Sequence, residues 1–123
     1  MSNLGSNLIN GQWLNNGQSF TSINPSDTTD CIGTFHAASK EDSLLAIKSA
    51  RDAFNEWSAS SLEERKKILD YIGDELINCS TEIGELIARE EGKPLAEGIG
   101  EVYRSGQFFQ YFGAEVLRQM GEL

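Results

Sequence analysis

A cation among aromatic residues is the most suggestive chemical feature of this sequence. Residues 90–104 read EEGKPLAEGIGEVYR and end on Arg104, and helical spacings of three and four continue from there through Phe108, Tyr111, Glu115 and Arg118. These residues would form a second face of the helix, besides its apolar face. A helix with two such faces usually lies between two other packed elements. The alternatives are a solvated face that carries two aromatic residues, and an arginine that pairs with Glu101 or Glu97.

Residues that could act as nucleophiles or metal ligands are few. The chain has one histidine, His36, and two cysteines, Cys31 and Cys79, without a C-x-x-C motif. We therefore predict no zinc site. Neither cysteine has the basic or glycine-rich setting of a reactive thiolate, so we interpret both as small buried hydrophobic residues in a reducing compartment. His36 is interpreted as a strand-end or surface residue.

Glycine-containing segments give no cofactor motif. Gly98-Ile99-Gly100 is followed by Tyr103 where a dinucleotide fingerprint needs glycine, and no strand precedes it. Gly92-Lys93 lacks the upstream glycine of a phosphate-binding loop, and no serine lies in a G-x-S-x-G elbow. The chain alone offers no complete active site, and we predict no catalytic and no cofactor-binding residue in it.

Composition limits the partners. The formal charge of −9 in 123 residues repels a phosphate backbone, so nucleic-acid binding is not expected. No apolar run approaches the roughly 18 residues that span a bilayer, which argues against a membrane partner. The N-terminus has neither a basic segment nor an apolar segment of a secretory signal, so we predict a cytoplasmic location.

The first part of the chain, 1–38, predicts short strands and turns. LINGQWL places the tight-turn pair Asn10-Gly11 between two apolar pairs. SFTSI alternates, the segment around Asn24-Pro25 is typical of a turn, and CIGTFHA is typical of a third strand.

The second part, 39–121, predicts four helices. Capping boxes begin the first two, at Ser39 and Ser61. Gly92 can end the third in a left-handed conformation, and Pro94 fits the first turn of the fourth. The predicted helices are 40–57, 62–78, 81–91 and 94–120.

Apolar stripes predict the packing of these helices. In the first helix, one stripe contains Leu44, Ile47, Ala50, Phe54 and Trp57. In the fourth, a heptad-like seam contains Ile99, Val102, Gly106, Phe109, Gly113, Val116 and Met120, with the Arg104 stripe beside it. The two seam glycines predict close approach by a neighbouring element.

Six short motifs in order resemble the N-terminal part of the aldehyde dehydrogenase superfamily, over essentially the whole chain. They are Ile9 to Trp13 (ING-x-W), Asn24-Pro25, Ile32-Gly33, a helix with Ala53-Phe54 and Trp57, Glu64-Arg65 with Ile68-Leu69, and Glu91-Gly92-Lys93-Pro94. The segment EGIGEVYRSGQFFQYFGAEVLRQMGE is more specific. It resembles the branch that acts on acid-bearing aldehydes, especially α-ketoglutaric semialdehyde dehydrogenases.

The resemblance implies an α+β fragment, mostly α, in which 1–123 is the N-terminal portion of an NAD(P)-binding domain, and the catalytic and bridging domains are absent. In the family, a cysteine thiolate attacks the aldehyde, hydride passes to the nicotinamide, and a glutamate activates water. Those residues and the glycine-rich cofactor turn would lie beyond position 123. NAD or NADP is therefore expected in the parent enzyme, and no cofactor is expected on this chain alone.

The resemblance also implies two sets of site residues. Arg104, with Phe108 and Tyr111, matches a substrate-tunnel position, where a guanidinium would hold the distal carboxylate of a semialdehyde through two hydrogen bonds. The carbonyl of Ile23 and the carboxylate of Glu90 match positions that hold a monovalent cation in some members.

Three functional hypotheses follow. The first is a truncated, inactive part of a dehydrogenase whose parent oxidises a carboxylate-bearing semialdehyde to the acid. The second is a non-catalytic helical module, derived from such an enzyme, that forms homo-oligomers through exposed apolar helix faces. The third is an unrelated small α+β domain with convergent motifs.

Overall fold

Turn and cap residues set most element boundaries in the computed structural model, which describes residues 5–118. The chain divides into two units, Met1–Ala59 and Ser60–Leu123. The described elements are β1 (Asn7–Ile9), β2 (Gln12–Leu14), β3 (Ser19–Ile23), β4 (Cys31–His36), α1 (Lys40–Ser58), α2 (Leu62–Asn78), α3 (Ser80–Glu91) and α4 (Leu95–Glu115). The predicted mostly helical α+β architecture is therefore confirmed.

Two antiparallel hairpins open the first unit. Asn10 and Gly11 have φ of 50° and 74°, so they form the tight turn that joins β1 to β2. This turn divides LINGQWL into two strands, and the unit has four described strands where CIGTFHA was expected to be the third. In the other hairpin, Phe20 stacks on Phe35 across β3 and β4, with ring centroids 5.9 Å apart.

The predicted capping box begins α1. The Ser39 hydroxyl accepts a hydrogen bond from the Asp42 backbone N–H, and the Asp42 carboxylate accepts from the Ser39 backbone N–H at 3.0 Å. The hydrogen bonds that the carboxylate accepts, first from the Ser39 backbone N–H and then from the Ser39 hydroxyl at 2.8 Å, lower the pKa of the Asp42 carboxyl. Asp42 is buried, and Asn16 also donates to it.

The apolar stripe of α1 lies at the surface. Leu44, Ile47 and Phe54 are 57%, 67% and 54% exposed, and Trp57 is also exposed. The first unit contributes only short two-stranded sheets, and contacts between α1 and β1 are limited. Periodicity therefore predicted the helix correctly, but no described element of its own unit covers its stripe.

In the second unit, α4 packs against both α2 and α3. Its predicted seam faces these helices: Val102 is 3% exposed, and Gly106 and Gly113 are buried. A Cβ at Gly106 would lie 2.7 Å from the carbonyl oxygen of Gly73 in α2. The close helix approach predicted from the seam glycines is confirmed.

The junction between α3 and α4 follows its sequence signals closely. Gly92 has φ of 70° and ends α3, and the Lys93 N–H donates to the Ala88 carbonyl at 3.1 Å. Pro94 is the N-cap residue of α4, so the helix begins at Leu95, one position after the predicted start.

The predicted C-terminus of α4 was wrong. The helix ends at Glu115 rather than at residue 120, and 119–120 lie outside the described residues. The N–H groups of Leu117 and Arg118 donate to carbonyls three residues earlier, at 3.2 and 3.0 Å. These tighter turns replace the α-helical pattern after Glu115. No helix within residues 5–118 is long and apolar enough to cross a membrane.

A pair of glycine substitutions tests the close packing of α4. A Cβ at Gly98 would lie 2.4 Å from the backbone oxygen of Gly84, whereas a Cβ at Gly100 meets nothing within 4 Å. We expect Gly98→Ala to destabilise the second unit by about 1–3 kcal/mol, because backbone must move. Gly100→Ala should instead stabilise α4 by up to about 1 kcal/mol, because alanine favours a helix. Urea unfolding followed by circular dichroism measures both, and equal effects would contradict the packing.

Candidate functional site

The three predicted substrate-binding residues share one exposed face of α4. Arg104, Phe108 and Tyr111 are spaced by four and three residues, so they lie along one side of the helix. Phe108 and Tyr111 are 58% and 56% exposed, and Arg104 is exposed as well. At about 100° per residue, this face is turned away from the glycine seam rather than lying beside it.

Within residues 5–118, the Arg104 guanidinium makes no ion pair and no hydrogen bond. Glu101, one of its two expected partners, instead accepts a hydrogen bond from Lys93 at 2.7 Å. Glu97, the other, lies with Arg104 along an open groove of about 390 Å³ on α4, without a described ion pair to it. The alternative of a surface arginine paired with Glu101 or Glu97 is therefore not found among the described residues.

Lys93 is the cation that pairs with Glu101. Its ammonium lies 2.6 Å from Glu91 and 2.7 Å from Glu101, so it bridges the end of α3 and the second turn of α4. Hydrogen bonds that the Lys93 ammonium donates to these two carboxylates, first Glu101 and then Glu91, raise the pKa of Lys93. The Lys93 side chain is 18% exposed, so this pairing is shielded more than an ordinary surface ion pair.

The sequence analysis did not predict that Lys93 forms ion pairs with both Glu91 and Glu101. It considered Gly92-Lys93 as a helix end, a family motif and a failed phosphate-binding loop, and Glu101 as a partner of Arg104, but it did not pair Lys93 with Glu91 or Glu101. A lysine directly after the left-handed glycine that ends α3, with a glutamate two turns into the next helix, was the available signal.

The proposed cation site is divided between the two units. Ile23 ends β3, next to an irregularity in the pairing with β4, and Glu90 is exposed in the last turn of α3. The joint role of Ile23 and Glu90 stays a prediction. Among residues 5–118, no group of three or more His, Cys, Asp and Glu side chains is arranged to hold a metal ion.

Neither cysteine lies on α4, and the histidine does not lie on it either. Cys31 is exposed in β4, so the expectation that it is buried was wrong; Cys79 is half-buried at the junction of α2 and α3. His36 ends β4, as predicted, with its Nδ1 3.4 Å from the carbonyl oxygen of Gly5. These positions bring no nucleophile and base together.

Comparison with known proteins identifies relatives that match nearly the whole of this chain. Residues 13–123 match the aldehyde dehydrogenase family profile. Mitochondrial succinate-semialdehyde dehydrogenase from Arabidopsis thaliana is 36% identical over 117 residues, which cover 94% of this chain and 22% of that protein. Alpha-ketoglutarate semialdehyde dehydrogenase from Haloferax volcanii is 30% identical over 111 residues, 89% of this chain and 23% of that protein.

The solved structures lead to the same group of enzymes. NADP-dependent glyceraldehyde-3-phosphate dehydrogenase from Bacillus halodurans, complexed with NADP, superposes with a TM-score of 0.91 at 32% identity. The match covers 96% of this chain and 25% of that one. The chain thus spans about a quarter of the length of the relatives it matches, and the resemblance inferred from its short motifs is confirmed.

The lysine bridge gives a prediction about pH. Because the folded-state pKa of Lys93 is raised, its stabilising contribution is present below the unfolded value of about 10.5 and is lost as pH rises through the folded value. We expect Lys93→Gln to lower the free energy of unfolding at pH 7, with the deficit shrinking above about pH 10.5. Urea unfolding from neutral to alkaline pH measures this. Lys48→Gln, at an exposed pair with Asp52, is the control and should change stability little. A deficit that is constant with pH would contradict the bridge.

Proposed function

Because this chain belongs to the aldehyde dehydrogenase family, we propose that it supplies the N-terminal part of an NAD(P)-dependent enzyme that oxidises a carboxylate-bearing semialdehyde to the acid. The observation that carries this proposal is the cation Arg104, which no described carboxylate neutralises. It lies on one α4 face with the aromatic side chains of Phe108 and Tyr111. An exposed guanidinium beside apolar rings suits a ligand with a short carbon chain and one terminal carboxylate.

The relatives support the same substrate class. Succinate semialdehyde and α-ketoglutarate semialdehyde, named in two of them, each carry a carboxylate besides the aldehyde. In the proposed enzyme, Arg104 binds that distal carboxylate and so orients the aldehyde carbon toward the reacting groups. Phe108 and Tyr111 would contact the carbon chain between the two ends.

The described residues do not fit a dinucleotide by themselves. Their strands pair antiparallel in two separate two-stranded sheets, whereas dinucleotide sites of this class form at the carboxyl ends of parallel strands. No described strand leads through a glycine-rich turn into a helix. We therefore assign no catalytic step to this chain, and we propose that NAD or NADP binds only to the longer enzyme. A cytoplasmic location stays a prediction.

The first test concerns the chain alone. We expect no formation of NADH or NADPH from succinate semialdehyde by the purified 123-residue protein, because neither cysteine lies beside a base and the sequence has no glycine-rich cofactor turn. Absorbance of the reduced nicotinamide measures the reaction, and a relative such as the Arabidopsis enzyme verifies the assay. Sustained cofactor reduction by the pure chain would refute the assignment of an inactive part.

The second test concerns Arg104 in a full-length dehydrogenase that contains this chain as its N-terminal part. We expect Arg104→Gln to lower kcat/KM for succinate semialdehyde about 10- to 100-fold, because a charge-assisted hydrogen bond contributes about 1.5–3 kcal/mol. Butanal, which has the same carbon count and no carboxylate, should be affected far less.

The controls separate recognition of the carboxylate from folding. Arg104→Lys keeps the charge but not the paired hydrogen bonds, so an intermediate loss is expected. Arg51→Gln, at an exposed arginine of α1 near Phe54, makes the same change elsewhere and should leave both substrates unaffected. Equal losses for succinate semialdehyde and butanal would count against the role of Arg104.

A further inference from the structure

The exposed face of α4 has a charge pattern that is complementary to itself. Arg104 lies near one end of the face and Glu115 near the other, with Phe108 and Tyr111 between them. The two charged residues are eleven positions apart, about 16 Å along the helix. All four side chains lie within a narrow angular range on the side away from the glycine seam.

We propose that this face binds a second copy of the chain through an antiparallel α4–α4 pair with two-fold symmetry. An axis between Phe109 and Gln110 places Arg104 of one copy opposite Glu115 of the other. The same axis places Phe108 opposite Tyr111. Because the operation is two-fold, both kinds of contact occur twice in each dimer.

The charges of this face suit such a pairing. Arg104 has no partner among the described residues. Glu115 accepts a hydrogen bond from Arg118 through Oε1 at 2.7 Å, which positions the carboxylate, and its Oε2 has no described hydrogen bond or ion pair within residues 5–118. A guanidinium from a second copy can therefore bind the oxygen that Arg118 leaves open. The chain as a whole carries −9, so association needs such a locally balanced face.

Burial of the aromatic residues supplies the favourable free energy. Phe108 and Tyr111 are more than half exposed, and two symmetric contacts between them would remove both rings of each copy from water. With one helix face from each copy, the dimer would bury about 1,200 Å² of accessible surface in total, near the lower end of the range for specific interfaces. We therefore expect a dissociation constant in the micromolar range.

Other apolar surfaces carry less information about a partner. The α1 stripe is equally exposed, but its neighbouring charges Lys48 and Asp52 already pair with each other. On the α4 face, exposed aromatic rings lie together with a cation that has no described partner and with a carboxylate at the symmetric position. The inference does not depend on the proposed substrate, because association of this chain needs no aldehyde and no cofactor.

Sedimentation equilibrium of the 123-residue chain tests the proposal by charge reversal. Arg104→Glu places two carboxylates opposite each other twice per dimer, and Glu115→Arg does the same with cations. Each variant alone should associate about tenfold or more weakly than the unmodified chain, because like charges that face each other are repulsive. Lys48→Glu is the matched control: it makes the same change in net charge on α1 and should associate like the unmodified chain.

Mixing the two single variants gives the sharpest readout. In a heterodimer of the Arg104→Glu chain with the Glu115→Arg chain, both facing positions again hold opposite charges. The mixture should therefore recover association that neither variant shows alone, and circular dichroism verifies that each is folded. A folded chain that stays monomeric into the high micromolar range overturns the proposal and leaves the face to another partner. Association that is insensitive to these reversals, or not recovered in the mixture, overturns it too.

Discussion

Close contact between helix backbones is the constraint on which the second unit depends. Glycines in α4 meet glycines in α2 and α3, and a single added methyl group would lie 2.4 to 2.7 Å from a backbone oxygen. Such contacts leave little freedom for α4 to rotate about its axis, because rotation would bring side chains into the space that the glycines leave. The exposed direction of the opposite face, and thus of Arg104, follows from this packing.

The ion pair at the α3–α4 junction and the cation Arg104 both lie in the first three turns of α4. Gly92 turns the chain, and Lys93 then lies between Glu91 and Glu101. Arg104 itself has no described ion pair, either with Glu101 or with Glu97. A substrate carboxylate in a larger enzyme and the Glu115 carboxylate of a second copy are two ways to satisfy the same guanidinium. They exclude each other in space, and different measurements report on them.

Local signals predicted most elements because their causes are local. The Asn10-Gly11 turn, the Ser39 cap and the left-handed Gly92 each depend on the conformation or the hydrogen bonds of a few neighbouring residues. Predictions that needed distant partners were weaker. The α1 stripe is exposed, Cys31 is not buried, and α4 ends five residues before its periodicity predicted. Periodicity indicates which residues share a face but not whether another body covers that face.

The sequence by itself determined the order and type of the elements, the glycine seam and the family to which the short motifs belong. These depend on backbone preferences and on residue spacing, which a chain carries without its fold. Only the tertiary structure decided that Lys93 rather than Arg104 pairs with Glu101, and that the aromatic face of α4 is exposed. Those outcomes depend on which atoms the packing brings within a few ångströms, and the distance between two residues along the chain does not contain that information.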